Sequence, residues 1–243
     1  LDDFNHSYAT FGDVQEQGLE TVNSFFTQKV LDHFEPKNLY GKSIKDKRGG
    51  VNNIHSWELG LKGEITKVQQ KLLSKLLRER RKKQWAEIIG ITWMDGMPLT
   101  TQQISTFFNV VNLQEILDDL VKKGYLVYEH PKELYGNQRK YDTTKPKGYN
   151  IVTGKLSFEF TRFLDPNDIT PTLVATDVSK LGVIDNNGIR ELSVREGLRL
   201  FGFPENFSLD FLKKSESFDL LGNTVCIPVI KEISLKLLDN YAF

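Results

Sequence analysis

The chain has 243 residues, of which 39% are hydrophobic and 26% are charged, and its formal net charge is zero. This composition supports a packed core and argues against wholesale disorder, and no run of about 18 apolar residues is present to span a membrane. The single cysteine, Cys226, excludes a disulfide framework and a cysteine-cluster metal site, so we expect a cytoplasmic protein without a metal.

The zero net charge conceals a strong asymmetry along the chain. Residues 1–36 carry a net charge of −6, residues 37–163 carry +10, and residues 164–243 carry −4. A basic middle between acidic ends is typical of a chain whose middle binds a polyanion such as nucleic acid, although an ordinary lysine-rich surface gives the same balance. The charges therefore divide the chain into an N-terminal helical segment (1–36), a basic domain (37–163) and a C-terminal region (164–243).

The first predicted helix spans residues 14–34, where apolar residues recur at roughly helical spacing. The polar stretch 45–53 that follows contains two glycines and three cations, among them Lys47 and Arg48. Glycine allows a close backbone approach and the cations suit phosphate, so this stretch is a candidate DNA contact. A solvated loop is the alternative interpretation.

Residues 66–89 are predicted to form one long amphipathic helix, since leucine and other apolar residues recur on one of its faces. The opposite face is basic, and five of the six residues in 78–83 are cations. This density exceeds what solubility needs, so we expect Arg80, Arg81 and Lys82 to contact the DNA backbone. A face that is merely solvated remains the alternative.

Residues 97–130 are predicted to form two helices followed by a strand. Thr100 and Gln103 have the spacing of a capping box at the start of the first helix, and Asn112 and Glu115 have the same spacing at the start of the second. A glycine then ends the second helix, and an aromatic and β-branched run predicts the strand.

Together with the residues that follow, this order resembles a winged helix over 97–150. The wing would span 131–150 and carry Arg139 and Lys140, both candidate DNA contacts. The second helix, however, exposes three carboxylates, which repel phosphate: Glu115, Asp118 and Asp119. The unit is therefore predicted to be mainly structural, with DNA contacts from the wing or from the basic helix before it.

The C-terminal region contains a short helix with clear boundaries. Ser193 caps the helix and Glu196 completes a capping box, while Gly202 ends it. Arg195 and Arg199 lie one turn apart and share a face. Arg199 equally suits a structural ion pair with a neighbouring carboxylate.

Three ordered segments of this region resemble the late motifs of bacterial DNA cytosine-5 methyltransferases. They are 171–173 (PTL), 190–204 (RELSVREGLRLFGFP) and 222–225 (GNTV). The departures are minor, since Ser193 stands where Thr is usual and Phe201 where Gln is common. The resemblance covers about residues 169–230 and implies that the basic middle is the target recognition domain.

The motifs of the family's catalytic half are missing. The sequence contains no Phe-x-Gly-x-Gly cofactor loop, Pro-Cys nucleophile, Glu-Asn-Val triplet or Gln-x-Arg-x-Arg element, and Cys226 follows Val225 rather than proline. By resemblance the chain is the C-terminal half of such an enzyme, with no catalytic residue of its own, and Cys226 is a small buried residue. The implied partner is a catalytic subunit or domain that carries the Pro-Cys motif.

The resemblance also implies roles for individual residues. Asn223, Thr224 and Val225 would contact the methyl donor S-adenosylmethionine. The alternative interpretation of Gly222-Asn223 is a left-handed turn at the start of the last helix, and the two interpretations are compatible. Arg190 and Arg195 would lie beside the DNA backbone.

The last segment, residues 225–238, is apolar on nearly all sides of a helix and must be covered all round. Without the catalytic domain we expect the helix to leave an exposed apolar patch or to pair with another partner. The predicted fold class is α+β: a helix-rich target recognition domain with a winged-helix-like unit, plus a C-terminal helix that belongs to a missing α/β methyltransferase domain.

Three functions are compatible with these patterns. The favoured one is the DNA-recognition and cofactor-lid half of a DNA cytosine-5 methyltransferase from a bacterial restriction-modification system, which acts on double-stranded DNA and is inactive alone. The second is a non-enzymatic winged-helix regulator, which leaves the motifs in 190–225 unexplained. The third is a scaffold that binds protein partners through its last helix.

Overall fold

A computed structural model describes residues 9–153 and 158–241, and it contains both helices and sheets, as the α+β class predicts. The helices are α1 (Phe25–His33), α2 (Lys67–Glu79), α3 (Gln84–Ile89), α4 (Thr101–Ser105), α5 (Leu113–Lys122), α6 (Val194–Leu200), α7 (Lys214–Gly222) and α8 (Ile227–Tyr241). The strands are β1 (Ser43–Ile44), β2 (Asn53–Ile54), β3 (Leu126–Glu129), β4 (Lys132–Tyr135), β5 (Gln138–Tyr141), β6 (Gly148–Ile151), β7 (Arg162–Phe163), β8 (Leu181–Asp185) and β9 (Gly188–Glu191).

The described residues divide into two compact units. The first unit contains residues 9–43 and 158–241, and the second contains residues 44–153. The N-terminal segment, which the charge pattern sets apart, therefore folds in the same unit as the C-terminal region. None of the helices in the described ranges is both long enough and apolar enough to cross a bilayer.

The first unit is built on a sheet with short strands. Strand β7 runs parallel to β8, β8 pairs antiparallel with β9, and Ser43 of β1 pairs with Arg162 of β7. Helices α6 and α7 pack beside this sheet through a cluster of buried apolar side chains, which includes Phe11, Val183, Leu192, Leu198, Phe218 and Leu221. Burial of such a cluster is the main stabilising contribution to the unit.

The predicted helix over 14–34 is correct only in its second half, where α1 begins after the Ser24 cap. Residues 14–24 instead lie along the β8–β9 hairpin, where the backbone N–H groups of Gly18 and Leu19 donate to the Asp185 carboxylate. The Val22 N–H donates to the Ile189 carbonyl. These long-range hydrogen bonds satisfy the backbone as well as a helix would, and Gly18 adopts a positive φ of 76° that ends any helical course.

The second unit places helices around one apolar core. Leucines of α2 pack with α4, α5, β3 and β6, and the core includes Leu72, Leu73, Leu76, Leu117, Leu120 and Tyr149. Strand β3 pairs antiparallel with β6, Leu99 forms a bridge to Tyr149, and β4 and β5 form a hairpin between the paired strands.

Two helix-start predictions in this unit have different outcomes. The Thr100–Gln103 capping box is confirmed, since the Thr100 hydroxyl accepts from the Gln103 N–H and the Gln103 side chain accepts from the Thr100 N–H. The Asn112–Glu115 box is wrong, because Asn112 makes no side-chain cap and has φ −105° and ψ 35°. With this backbone Asn112 lies outside the extended conformation that a capping residue normally adopts.

The single helix predicted over 66–89 is interrupted between α2 and α3. The carbonyl of Arg80 accepts a hydrogen bond from the Met97 N–H at 2.7 Å, so a tertiary contact replaces the next helical one. The amphipathic stripe continues through both helices, which explains why periodicity alone does not reveal the break.

Candidate functional site

The turn between α7 and α8 contains the residues predicted to bind the cofactor. Gly222 ends α7, and a Cβ at this position would lie 2.6 Å from the backbone nitrogen of Ala175. The segment after the PTL motif therefore lies directly against the GNTV motif, and only glycine allows this close approach. The expected left-handed turn is wrong, because Asn223 has φ −102° and Gly222 has no positive φ.

The three predicted cofactor residues follow this glycine at the surface. Asn223 is exposed, and its side-chain amide donates to the Asp219 carbonyl at 2.8 Å. Thr224 is half-buried, and Val225 is exposed immediately before α8. An amide and a hydroxyl thus stand together at the start of a long helix, where N–H groups favour an anionic group.

Helix α6 confirms the predicted boundaries. The Ser193 hydroxyl accepts from the Glu196 N–H at 3.0 Å, and the Glu196 carboxylate accepts from the Ser193 N–H at 2.8 Å. Gly202 follows the helix with φ 79°. Arg199 forms the ion pair that the sequence allowed, with two hydrogen bonds to Glu205 that keep the pKa of Arg199 above its usual value.

Arg190 lies in the interior of the first unit and has no surface to offer a phosphate. Its side chain is 2% exposed, and its guanidinium donates to Asp185 at 2.8 Å and to both oxygens of Glu196 at 2.9 and 2.7 Å. A further N–H donates to the Glu16 carbonyl at 2.7 Å. We call Asp185, Arg190 and Glu196 the buried triad, and it gives Arg190 a structural role in place of the predicted DNA contact.

The buried triad shifts the pKa of Asp185. Burial alone would raise this pKa, but hydrogen bonds from the Gly18 N–H, the Arg190 guanidinium and the Leu19 N–H lower it below its usual value. Arg195, the other predicted arginine of this unit, is partly exposed, and its guanidinium donates to the Phe207 carbonyl at 2.9 Å. Arg195 therefore keeps part of its surface for an anion.

Arg80 lies in the interior of the second unit, contrary to its expected exposure to DNA. Its Nη1 donates to the Asn150 side chain at 2.6 Å, and that side chain donates in turn to Glu129 at 2.8 Å. Burial lowers the pKa of Arg80 to about 10, although Asp95 opposes the shift. Arg80 thus links the end of α2 to β3 and β6 and has no surface available to a phosphate.

The other predicted cations, which follow α2 or lie in the loop between β1 and β2, remain at the surface. Arg81 donates to Asp95 at 2.6 Å, and Arg48 approaches the other Asp95 oxygen at 3.5 Å. Partial burial would raise the pKa of Asp95, but its hydrogen bond and ion pairs with these arginines lower it. Lys82 pairs with Glu79 at 2.8 Å, and Lys47 is exposed.

The β4–β5 hairpin forms an exposed ribbon. All four residues of β5 are exposed, including Arg139 and Lys140, and Gly136 makes the turn with φ 60°. Arg139 donates to the Trp93 carbonyl at 3.3 Å, and the Thr92 N–H donates to Glu133 at 2.8 Å. The ribbon is therefore tied to the loop that precedes α4.

Trp93 connects this ribbon to the basic end of α2. Its indole N–H donates to the Arg81 carbonyl at 3.2 Å, and the ammonium of Lys83 lies 5.9 Å from its ring centroid. Neither Trp93 nor Lys83 is among the site residues predicted from the sequence, although Lys83 belongs to the run of cations in 78–83. The linked residues form one patch, which we call the cationic surface: Arg48, Arg81, Lys83, Trp93 and Arg139.

Residues 61–239 match the family of C-5 cytosine-specific DNA methylases. The chain is 59% identical to the Type II methyltransferase M.NlaIV of Neisseria lactamica over 93% of its own length and 53% of that protein. It is 57% identical to M.NgoBV of Neisseria gonorrhoeae, over 93% of the chain and 53% of that protein. Identity to M.BanI of Aneurinibacillus aneurinilyticus is 39%, over 98% of the chain and 51% of that protein.

The chain spans about half the length of these curated relatives. No solved structure shows significant similarity to it. Members of the matched family use S-adenosylmethionine as the methyl donor. Because the family match extends over most of the chain and includes the three motifs in 171–225, the chain belongs to the C-5 cytosine-specific DNA methylase family.

Proposed function

We propose that the chain is the DNA-recognition and cofactor-lid half of a DNA cytosine-5 methyltransferase from a restriction-modification system. It is inactive without a catalytic half that supplies the Pro-Cys nucleophile. The observation that carries this proposal is the exposed apolar surface of α8, which begins directly after the predicted cofactor residues.

Helix α8 and the residues before it expose more apolar surface than a surface helix of a complete globular protein normally does. Eight large apolar side chains are between 40% and 68% exposed: Val225, Ile227, Val229, Ile230, Ile233, Leu235, Leu237 and Leu238. A contiguous patch of this kind marks an interface, because its burial is favourable by roughly 25 cal/mol per Å². The curated relatives contain about as much chain again, and the proposed occupant of this patch is the catalytic domain formed by that missing half.

The start of α8 fits the methyl donor in its chemistry. S-adenosylmethionine, when bound, supplies an electrophilic methyl group to the target base. Asn223 and Thr224 offer an amide and a hydroxyl, and the Asp219 carbonyl orients the Asn223 amide by accepting one of its hydrogens. The proposed role of Asn223, Thr224 and the Val225 backbone is to close one side of a cofactor site whose other side belongs to the catalytic half.

The second unit is the proposed target recognition domain, and its proposed partner is double-stranded DNA. The cationic surface joins a loop, the end of α2 and the ribbon through hydrogen bonds and ion pairs, so several cations act as one patch. A two-stranded ribbon fits the major groove, where base edges are distinguishable. Arg139 and Lys140 are proposed DNA contacts on the ribbon, and Lys47, Arg48, Arg81 and Lys82 are proposed backbone contacts of this unit. Arg195 of the first unit is a further proposed backbone contact.

Complementation tests the proposal. The chain is mixed with the separately produced catalytic half of the Neisseria lactamica relative, and transfer of a labelled methyl group to duplex DNA is measured. We expect activity only in the mixture. Methyl transfer by the chain alone, or an inactive mixture in which the two halves bind each other, would contradict the proposal.

The substitution Asn223→Ala distinguishes a loss of cofactor binding from an unspecific effect on the protein. In the active mixture Asn223→Ala should raise the KM for S-adenosylmethionine about tenfold or more, because a hydrogen bond to the cofactor is lost, and should leave DNA affinity unchanged. Asn187→Ala is the matched control, since Asn187 is an exposed asparagine in another turn of the same unit. If both substitutions change the KM for S-adenosylmethionine equally, Asn223 does not contact the cofactor.

A second candidate function is a winged-helix DNA-binding regulator without enzymatic activity. The order of α2, the Leu99 bridge, α4, α5, β3, the ribbon and β6 favours it, since winged helices place a β-hairpin wing after their second and third helices. Such a regulator would bind its DNA site tightly without the catalytic half and independently of Asn223. Tight DNA binding by the chain alone, together with no methylation when the catalytic half is added, would favour the regulator.

A further inference from the structure

An open groove of about 540 Å³ runs along the outer face of α2, within the second unit. Its lining includes four cations of that helix and two aromatic side chains: Lys67, Lys71, Lys75, Arg78, Trp57 and Phe108. The sequence predicted a basic helical face here, but not a concave site.

The charge of this groove is strongly one-sided. Its cations stand three or four residues apart, so they share one helix face, and like charges at this spacing destabilise a helix. Glu58 is the one carboxylate among the lining residues, and its Oε2 already accepts a hydrogen bond from the His55 N–H at 2.7 Å. The groove therefore has an excess of positive charge that a bound anion would offset.

Trp57 gives an independent indication of a ligand. It is 1% exposed, and among the described residues its indole N–H has no hydrogen-bond acceptor. The ring is fixed by stacking on His55, with the two centroids 4.3 Å apart and the planes at 15°. A buried donor without an acceptor is unfavourable, and this donor belongs to a ring that lines the groove.

The groove also continues from the cationic surface. Arg78 lies in the last turn of α2, three residues before Arg81, which follows the helix and belongs to that surface. A DNA strand that contacts Arg81 would therefore reach the groove by following the axis of α2 towards its N-terminus. Lys75 is held at the edge of the groove by a hydrogen bond to the Phe107 carbonyl at 2.5 Å.

We propose that this groove binds a phosphate of the DNA backbone, separately from the contacts made by the ribbon. The inference rests on the proposed function, because it requires that the second unit bind DNA. The groove positions the duplex and does not read its sequence, since phosphate contacts carry no base information.

Salt-dependent DNA affinity of the 243-residue chain tests the proposal. Lys71→Ala and Arg78→Ala should each reduce the magnitude of the negative slope of log affinity against log salt by about 0.9. The affinity ratio of wild type to each variant should then be about 3.5-fold larger at about 50 mM than at about 200 mM salt. Lys122→Ala is the control, since it removes an exposed lysine from α5 in the same unit and should leave the slope unchanged.

The salt dependence distinguishes the proposed DNA recognition by the second unit from the proposed phosphate binding in the groove. A wild-type chain without a salt slope would overturn the proposed DNA recognition and this inference with it. A wild-type slope that is retained in Lys71→Ala and Arg78→Ala would overturn the groove alone.

The indole N–H resonance of Trp57, identified by its absence in Trp57→Phe, distinguishes the sources of phosphate. It should shift when a DNA duplex is added and stay in place with inorganic phosphate at equal ionic strength. An equal shift with inorganic phosphate would assign the groove to a free anion instead of the DNA backbone. No shift with either ligand would overturn the role of Trp57.

Discussion

Replacing Arg190 by methionine removes the central cation of the buried triad while keeping an unbranched side chain. Asp185 and Glu196 have fully buried side chains, and each keeps only its hydrogen bonds from backbone N–H groups after the substitution. Breaking a buried ion pair by removing one partner costs about 3–5 kcal/mol, because the remaining charge is left uncompensated. The surviving backbone hydrogen bonds favour the lower end of that range.

A loss of about 3 kcal/mol should lower the unfolding midpoint by about 6–12 °C, since each kcal/mol shifts the midpoint of a domain of this size by about 2–4 °C. Thermal unfolding followed by circular dichroism measures the shift. Arg199→Met is the control, because its ion pair with Glu205 lies at the surface and its loss should change the midpoint much less. Equal midpoints for Arg190→Met and wild type would refute the structural role of the triad.

Two further predictions follow from the same structure. Because the pKa of Asp185 is lowered in the folded state, its stabilising contribution is present above its usual pKa of 3.8 and is lost as the pH falls through the lowered value. Asp185→Asn should therefore make the free energy of unfolding less sensitive to acid. If urea unfolding of Asp185→Asn and of wild type depends on pH in the same way between about pH 5 and 2, this prediction is contradicted. Leu237→Asp places a charge on the exposed face of α8 and should leave the urea midpoint of the chain alone unchanged, yet abolish methylation when the catalytic half is added. A large destabilisation of the isolated chain by Leu237→Asp would show that α8 is already buried within it.

The local signals of the sequence were sufficient where the structure depends on neighbouring residues. The capping box of Ser193 and Glu196, the helix end at Gly202 and the box at Thr100 are all present, because each depends on residues a few positions apart. The late motifs were also recognisable from their order and spacing, and the family match confirms the class they indicate. The α8 pattern likewise predicted an exposed apolar surface, because that pattern is a property of one helix.

Which cations reach the surface was decided only by the tertiary structure. Arg80 and Arg81 are sequence neighbours, and Arg190 and Arg195 belong to one short motif. Yet Arg80 and Arg190 are buried among carboxylates and amides that lie far away in sequence or in other elements. The exposure of an arginine depends on where its hydrogen-bond partners come to lie, and these partners are brought together by folding.

The same reason explains the extended course of residues 14–24 and the single surface formed by Trp93 with the ribbon. In both places a helical or loop-like local pattern is overridden by hydrogen bonds to residues about 45 or more positions away, such as those from Gly18 to Asp185 and from Arg139 to Trp93. The sequence by itself determined the family, the caps of α4 and α6 and the apolar last helix, since these are encoded in short segments. The tertiary structure decided which charges form the buried triad and which form the cationic surface, since burial is a property of the whole packed unit.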